Sequence, residues 1–267
     1  MPDEIRVAVA GAAGRMGREV VRAVAEAPDT ILVAAVDRVG IGEDAGDLAN
    51  IGPLGVMVSD DLEASLKKSS AQVLVDFTIP TSALSNAGVA IQSGVSPVVG
   101  TTGLTSDDTK RLAGWARDAG VGAVVAPNFA IGAVLMIRFA AEAARYMPDA
   151  EIIELHHENK LDSPSGTALM TAQRIAAART QPPRGAPANT IEKVPGGRGA
   201  DVNLVRVHSV RLPGYVAHQE VIFGALGQTL TIRHDSTDRR SFMPGVLLAV
   251  RKVRKLNGLV VGLEELL

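Results

Sequence analysis

Short apolar runs rich in valine, isoleucine and alanine alternate with stretches of helical periodicity through the first half of the chain. Residues 5–10, 31–36, 73–76, 97–100 and 122–126 are the expected strands. Between them, residues 15–26, 81–93 and 105–119 are the expected helices, the last with Thr105, Ser106 and Asp107 at its cap and first turn. Strand–helix alternation of this kind implies a parallel sheet with right-handed crossovers, the doubly wound α/β plan.

The pattern changes in the second half. An apolar helix over 131–145 leads into a strand at 150–155 and a helix over 165–179. Residues 181–199 are rich in Pro and Gly and are expected to form a long exposed loop. Three strands follow, at 203–211, 216–223 and 228–233, with little helix between them, which implies a smaller α+β domain on a mixed or antiparallel sheet. A last helix, 239–256, is placed to return to the first domain. The expected division is therefore 1–128 with 239–267 for one domain and 129–238 for the other.

Charge and composition narrow the function classes. The 267 residues carry 27 Lys+Arg against 29 Asp+Glu, a net charge of −2, which argues against a nucleic-acid or anionic-membrane partner. There is no cysteine, so disulfides, thiolate metal sites and a cysteine nucleophile are excluded, and a reducing cytoplasm suits the chain. Aromatic residues are only 3% of the chain, which leaves an aliphatic core and no base-stacking platform. Met1-Pro2-Asp3-Glu4 is acidic where an export signal needs positive charge.

Gly11-Ala12-Ala13-Gly14-Arg15-Met16-Gly17 follows a strand and opens a helix. Glycines there permit a tight turn and let a pyrophosphate approach backbone N–H groups. The spacing is GxxGxxG rather than GxGxxG, but the next strand ends in Asp37, where a carboxylate can accept hydrogen bonds from an adenosine ribose. Arg38 follows it and is suited either to the 2′-phosphate of NADP or to a solvated place on the surface. Phe77-Thr78, Gly100-Thr101-Thr102-Gly103 and Pro127-Asn128-Phe129 also fall at strand exits, where open α/β sheets bind ligands.

The segment Glu154-Leu155-His156-His157-Glu158-Asn159-Lys160-Leu161-Asp162-Ser163-Pro164-Ser165-Gly166-Thr167 is the most informative. Ser165, Gly166 and Thr167 open a helix and offer N–H donors to an anion, and two histidines and a lysine precede them. Adjacent histidines point to opposite faces of a strand, so both cannot be core if one face is wet. No third ligand stands at helical spacing with them, and no metal is expected. His208, His218 and His234 are expected to satisfy structural hydrogen bonds.

GAAGRMG at 11–17, VDR at 36–38, DFT at 76–78, GTTG at 100–103, APNF at 126–129 and above all ELHHENKLDSPSGTA at 154–168 resemble the dihydrodipicolinate (4-hydroxy-tetrahydrodipicolinate) reductase family over essentially the whole chain. The resemblance implies a Rossmann-like domain, a substrate domain that also builds a homotetramer, and NADH- or NADPH-dependent reduction of a cyclic dicarboxylate in lysine and diaminopimelate biosynthesis. It implies His156 as proton donor/acceptor and Lys160 as proton donor, with His157, Ser165, Gly166 and Thr167 toward substrate carboxylate. It implies Gly11, Ala12, Ala13, Gly14, Arg15, Met16, Asp37, Arg38, Gly100, Thr101, Thr102, Ala126, Pro127, Asn128 and Phe129 as cofactor contacts. Asp37 stands where many relatives carry Glu, and Ile79 where some carry Arg. Two other readings fit the two-domain plan: an amino-acid or semialdehyde dehydrogenase, and a non-catalytic dinucleotide-sensing module.

Overall fold

A computed structural model describes residues 4–185, 187 and 189–267. The chain divides into two compact units, Met1–Phe129 with Phe242–Leu267, and Ala130–Ser241. In chain order the first unit contributes β1 (Ile5–Ala10), α1 (Arg15–Glu26), β2 (Thr30–Val36), α2 (Ala45–Leu48), β3 (Val58–Ser59), α3 (Leu62–Ser69), β4 (Val73–Asp76), α4 (Pro80–Gln92), β5 (Ser96–Val99), α5 (Ser106–Ala119) and β6 (Gly122–Val125). The second unit follows with α6 (Ile131–Ala144), β7 (Asp149–His156), α7 (Gly166–Ala178), β8 (Ala200–Val202), β9 (Val205–Arg211), β10 (Ala217–Ala225) and β11 (Gln228–Ser236). A 3₁₀ turn at Arg239–Phe242 precedes α8 (Met243–Val253) and β12 (Gly258–Val261), which rejoin the first unit.

The first unit is a seven-stranded sheet in the order β12-β6-β5-β4-β1-β2-β3, parallel throughout. Every residue of β4, β5 and β6 is buried, as strands covered on both faces must be. The helices divide into α1 packed on α8 and a series α3–α4–α5. On α1 the buried residues Val20, Val21 and Val24 recur at helical spacing. The capping box on α5 pairs Thr105 with Asp108. Strand order reverses beside β1, with β2 on one side and β4 on the other. Because the strands are parallel, the loops after β1, β2, β4, β5 and β6 share one rim, the place where such sheets bind ligands.

The second unit is a mixed sheet, β11-β10-β7-β9-β8, in which only β7 and β9 run parallel. One face packs on α6 and α7 through Met136, Ala140, Ile152, Ala172, Ile175, Val207, Val221 and Phe223. Along β7 the side chains alternate, with Ile152 and Glu154 fully buried and Glu151, Ile153 and Leu155 partly exposed.

Expected and observed elements agree to within three residues, except in four places. The chain between β2 and β4 holds α2, β3 and α3, which are too short to show a period. The expected strand at 203–211 begins at Val205, because Asn203 and Leu204, both at positive φ, make the turn that separates β8 from β9. The expected helix at 239–256 is a 3₁₀ turn, then α8 with a proline in its first turn. Beyond it β12 adds to the sheet beside β6. Among the described residues of 181–199 there is no helix or strand, and no helix among all those described is long and apolar enough to cross a membrane.

Two glycine substitutions should move stability in opposite directions. A Cβ on Gly17 would stand 1.9 Å from the Gly11 carbonyl oxygen, a backbone atom that cannot step aside. Gly17→Ala should cost about 1–3 kcal/mol and lower the thermal midpoint. A Cβ on Gly114, inside α5, meets nothing within 4 Å. Gly114→Ala should add about 0.5–1 kcal/mol and raise it. Calorimetry on both variants checks the pair of signs.

Candidate active site

The turn after β1 is shaped by its glycines. Gly11 has φ +79°, and a Cβ there would stand 2.5 Å from the Phe77 carbonyl oxygen. Gly14 is the N-cap of α1, with no capping side chain and no acidic residue in the first turn. The helix thus presents backbone N–H groups and the positive end of its dipole without an internal anion, a seat that fits a pyrophosphate. Ala12 is buried, while Ala13 and Met16 are half-buried and Arg15 is exposed beside this turn.

Asp37 is held at the same turn. One carboxylate oxygen accepts from the Ala13 N–H at 2.9 Å, and the other from the N–H groups of Arg38 at 2.7 Å and Val39 at 3.2 Å. The carboxylate therefore sits beside the glycine turn, where a ribose would meet it. The Arg38 side chain is exposed and, among the described residues, no side-chain hydrogen bond or ion pair holds it.

The loops after β4, β5 and β6 are tied together along the rim. A Cβ on Gly100 would lie 2.3 Å from the Phe77 ring, so the ring fills the space a side chain would need. Phe77 also packs on Phe129, with ring centroids 5.8 Å apart. The fully buried Asp76 carboxylate accepts from the hydroxyls of Thr78 at 2.7 Å and Thr101 at 2.9 Å, and from the Asn86 amide at 2.7 Å. Thr102 and Pro127 are exposed beside these anchors, Asn128 is half-buried and Ala126 is buried.

In the second unit the residues at the end of β7 and the start of α7 form one network. Glu154 has no solvent exposure. Its carboxylate meets the His156 Nδ1 at 2.5 Å, accepts a two-pronged pair of bonds from Arg211 at 2.9 and 2.8 Å, and accepts the Ser165 N–H at 3.2 Å. Burial pushes this carboxyl upward, but hydrogen bonds from His156, Arg211 and Ser209 outweigh it and hold it down at about 2. His156 and His157 are both half-buried. The Lys160 ammonium pairs with Asp162 at 2.6 Å, and that bond holds the Asp162 carboxyl below its ordinary range.

Ser165 is the N-cap of α7. Its Oγ accepts the Ala168 N–H and its own N–H goes to Glu154, so its backbone donor is spent inside the protein. Gly166 is exposed, and a Cβ there would meet nothing within 4 Å, which leaves the start of α7 open. Of the remaining histidines, His208 bonds Glu151 at 2.8 Å and His218 bonds Asp235 at 2.6 Å. His234 packs over Gly132, where a Cβ would come within 2.6 Å of the ring. Arg240 pairs with Asp238 at 3.1 Å.

Two residues central to this geometry, Glu154 and Arg211, were not among the expected site residues. Glu154 carries a signal in its position: strand alternation puts it on the same buried face as Ile152, where a lone acid needs partners. Arg211 lies 57 residues along the chain from Glu154, and only the parallel pairing of β7 with β9, which sets His156 opposite Arg211, brings it near.

Comparison with known proteins agrees over the full length. Residues 5–129 match the family model described as dihydrodipicolinate reductase, N-terminus, and residues 132–267 match its C-terminus. A 4-hydroxy-tetrahydrodipicolinate reductase of Moorella thermoacetica is 54% identical over 98% of both chains. One from Thermosynechococcus vestitus is 52% identical over 100% of this chain and 98% of its own. The solved structure of a dipicolinate-bound dihydrodipicolinate reductase from Paenisporosarcina sp. TG-14 superposes with a TM-score of 0.87 at 44% identity, covering 99% of this chain and 100% of that one. An amine dehydrogenase from Mycobacterium smegmatis shares the fold alone, with a TM-score of 0.67 at 14% identity. Two family models that between them span both units, and relatives more than half identical end to end, place this chain in the dihydrodipicolinate reductase family.

Proposed function

We propose that the protein reduces 4-hydroxy-tetrahydrodipicolinate to tetrahydrodipicolinate with NADH or NADPH, in the route to diaminopimelate and lysine. The observation that carries this reading is the end of β7, where His156, Lys160 and an open helix start at Gly166 stand within one short segment anchored on a buried carboxylate. The relatives over half identical to this chain bear the reductase name, which supports it. A chain without cysteine suits the cytoplasm, and a homotetramer is the assembly we propose.

Hydride is the chemistry that a bound nicotinamide dinucleotide supplies. In the first unit the uncapped start of α1 holds the pyrophosphate, Asp37 the ribose, and the Gly100–Thr102 and Ala126–Phe129 loops the remainder. In the second unit the N–H groups at Gly166 and Thr167, with His157, hold a substrate carboxylate. The 4-hydroxyl of the substrate leaves as water, hydride adds to the ring, and Lys160 and His156 deliver the one proton that accompanies the hydride. A dianionic substrate also requires local positive potential in a chain of net charge −2, and Lys160 with the start of α7 supplies it.

Lys160→Ala should therefore lower kcat by about 10²–10⁴-fold and raise KM, while NADH affinity, measured by fluorescence, stays within about twofold. His156→Ala should behave similarly, and the double variant should lose less than the product of the two, since both serve one protonation. A Lys160→Ala enzyme with more than about a third of wild-type kcat, a loss under roughly 1 kcal/mol, would remove the proposed acid.

Cofactor choice follows from Asp37 and Arg38. The first repels a 2′-phosphate and the second, exposed and unengaged, attracts it. Both cofactors should support turnover with kcat/KM within about 100-fold, or roughly 2.7 kcal/mol. Arg38→Ala should weaken NADPH selectively; equal losses with both cofactors would rule out the phosphate contact.

A further inference from the structure

We infer that Glu154 is a positioning residue for the proton transfer: it holds the proton of the neutral His156 ring on Nδ1, so that Nε2 is the atom that exchanges a proton with the substrate. The inference rests on the proposed role of His156 and goes beyond it by assigning the ring's orientation, its tautomer and the residue that sets both.

The donors around the carboxylate leave little choice. One oxygen of Glu154 takes Arg211 Nη2 and the Ser165 N–H, and the other takes Arg211 Nη1 and faces His156 Nδ1 at 2.5 Å. An ionised carboxylate only accepts, so Nδ1 must be the donor. With its carboxyl held at about 2, Glu154 stays ionised at any pH near neutrality. The neutral ring has a single N–H, and placing it on Nδ1 leaves Nε2 as the lone-pair nitrogen; in the imidazolium, Nε2–H is the proton left to give. The carboxylate cannot swing to follow the ring, because Arg211 is itself fixed by bonds to the carbonyls of Val210 and Asp162, each at 2.7 Å.

Glutamine at this position makes a sharp test. Its amide nitrogen must replace one oxygen, and at the Ser165 side it would confront two fixed donors. At the His156 side it confronts one, and the ring can adapt by turning Nδ1 into an acceptor. Glu154→Gln should thus move the ring proton to Nε2, the reverse of wild type.

The experiment uses the full-length protein labelled with ¹⁵N-histidine, with the His156 signals assigned by their loss in His156→Ala. At a pH where the ring is neutral, the wild-type spectrum should show the proton on Nδ1, and Glu154→Gln should show it on Nε2. In steady-state kinetics Glu154→Gln should lower kcat at least 30-fold with KM changed less than threefold. On the His156→Ala background the same substitution should lower kcat less than threefold further, because it acts through the ring. A wild-type proton on Nε2 overturns the inference even where Glu154→Gln fails to fold. Equal losses on both backgrounds overturn it too, and mark Glu154 as merely structural. Undiminished turnover in His156→Ala would remove the proton-transfer reading itself, and this inference with it. A normal His156→Ala loss beside an Nε2–H ring would remove the inference alone.

Discussion

A carboxylate taken fully out of water governs the second unit. Desolvating Glu154 is unfavourable by several kcal/mol, and the Arg211 fork, the Ser165 N–H, the His156 ring and the Ser209 side chain offset it. These donors come from three places: the end of β7 itself, the end of β9, and the first turn of α7. Removing one partner from such a network typically costs about 3–5 kcal/mol. The network therefore constrains the fold as well as the site. It requires β9 to lie parallel to β7 so that both strands end together, and it requires α7 to begin at Ser165 so that its capping residue has an N–H to give. The open helix start at Gly166 follows from that second requirement.

The first unit uses the same device twice with different partners. Asp76 closes β4 and gathers Thr78, Asn86 and Thr101, and Asp37 closes β2 and gathers Ala13, Arg38 and Val39. Each acid stands at the carboxyl end of a parallel strand, where the chain leaves the sheet and its backbone groups lose their ladder partners. A short acceptor there binds two loops at once. The loops of the rim are thus tied to one another by Asp76 and Asp37, and the glycines between them meet the close approaches at Gly11, Gly17 and Gly100.

Much of this was legible in the sequence. The strand–helix alternation gave away the parallel sheet, and β4, β5 and β6, short runs set between helices, are buried at every position within it. The glycine turn, Asp37 and the His-His-Lys segment are contiguous or nearly so, and local pattern suffices to find them. The rest depends on long-range pairing. β3 is two residues long, and β12 pairs with a strand more than 130 residues earlier in the chain. Arg211 reads as one more exposed arginine until the β7–β9 register sets it opposite His156. The Lys160–Asp162 pair spans only two residues, yet the sequence alone does not say whether those side chains turn toward one another.

The two groups proposed to carry the proton are held in contrasting ways, and the contrast has consequences for binding. His156 hangs from a buried, fully satisfied carboxylate, so its ring has one orientation before any ligand arrives. Lys160, 22% exposed, pairs with Asp162, whose side chain is 60% exposed, so the pair opens to solvent on its carboxylate side. A substrate carboxylate can take over from Asp162 at little cost, since one anion replaces another beside the same ammonium. The same exchange at His156 would break a desolvated bond and leave Glu154 without a donor. In the proposed reaction the site would thus combine one group preorganised at folding, His156, with one, Lys160, that a charged substrate releases from Asp162.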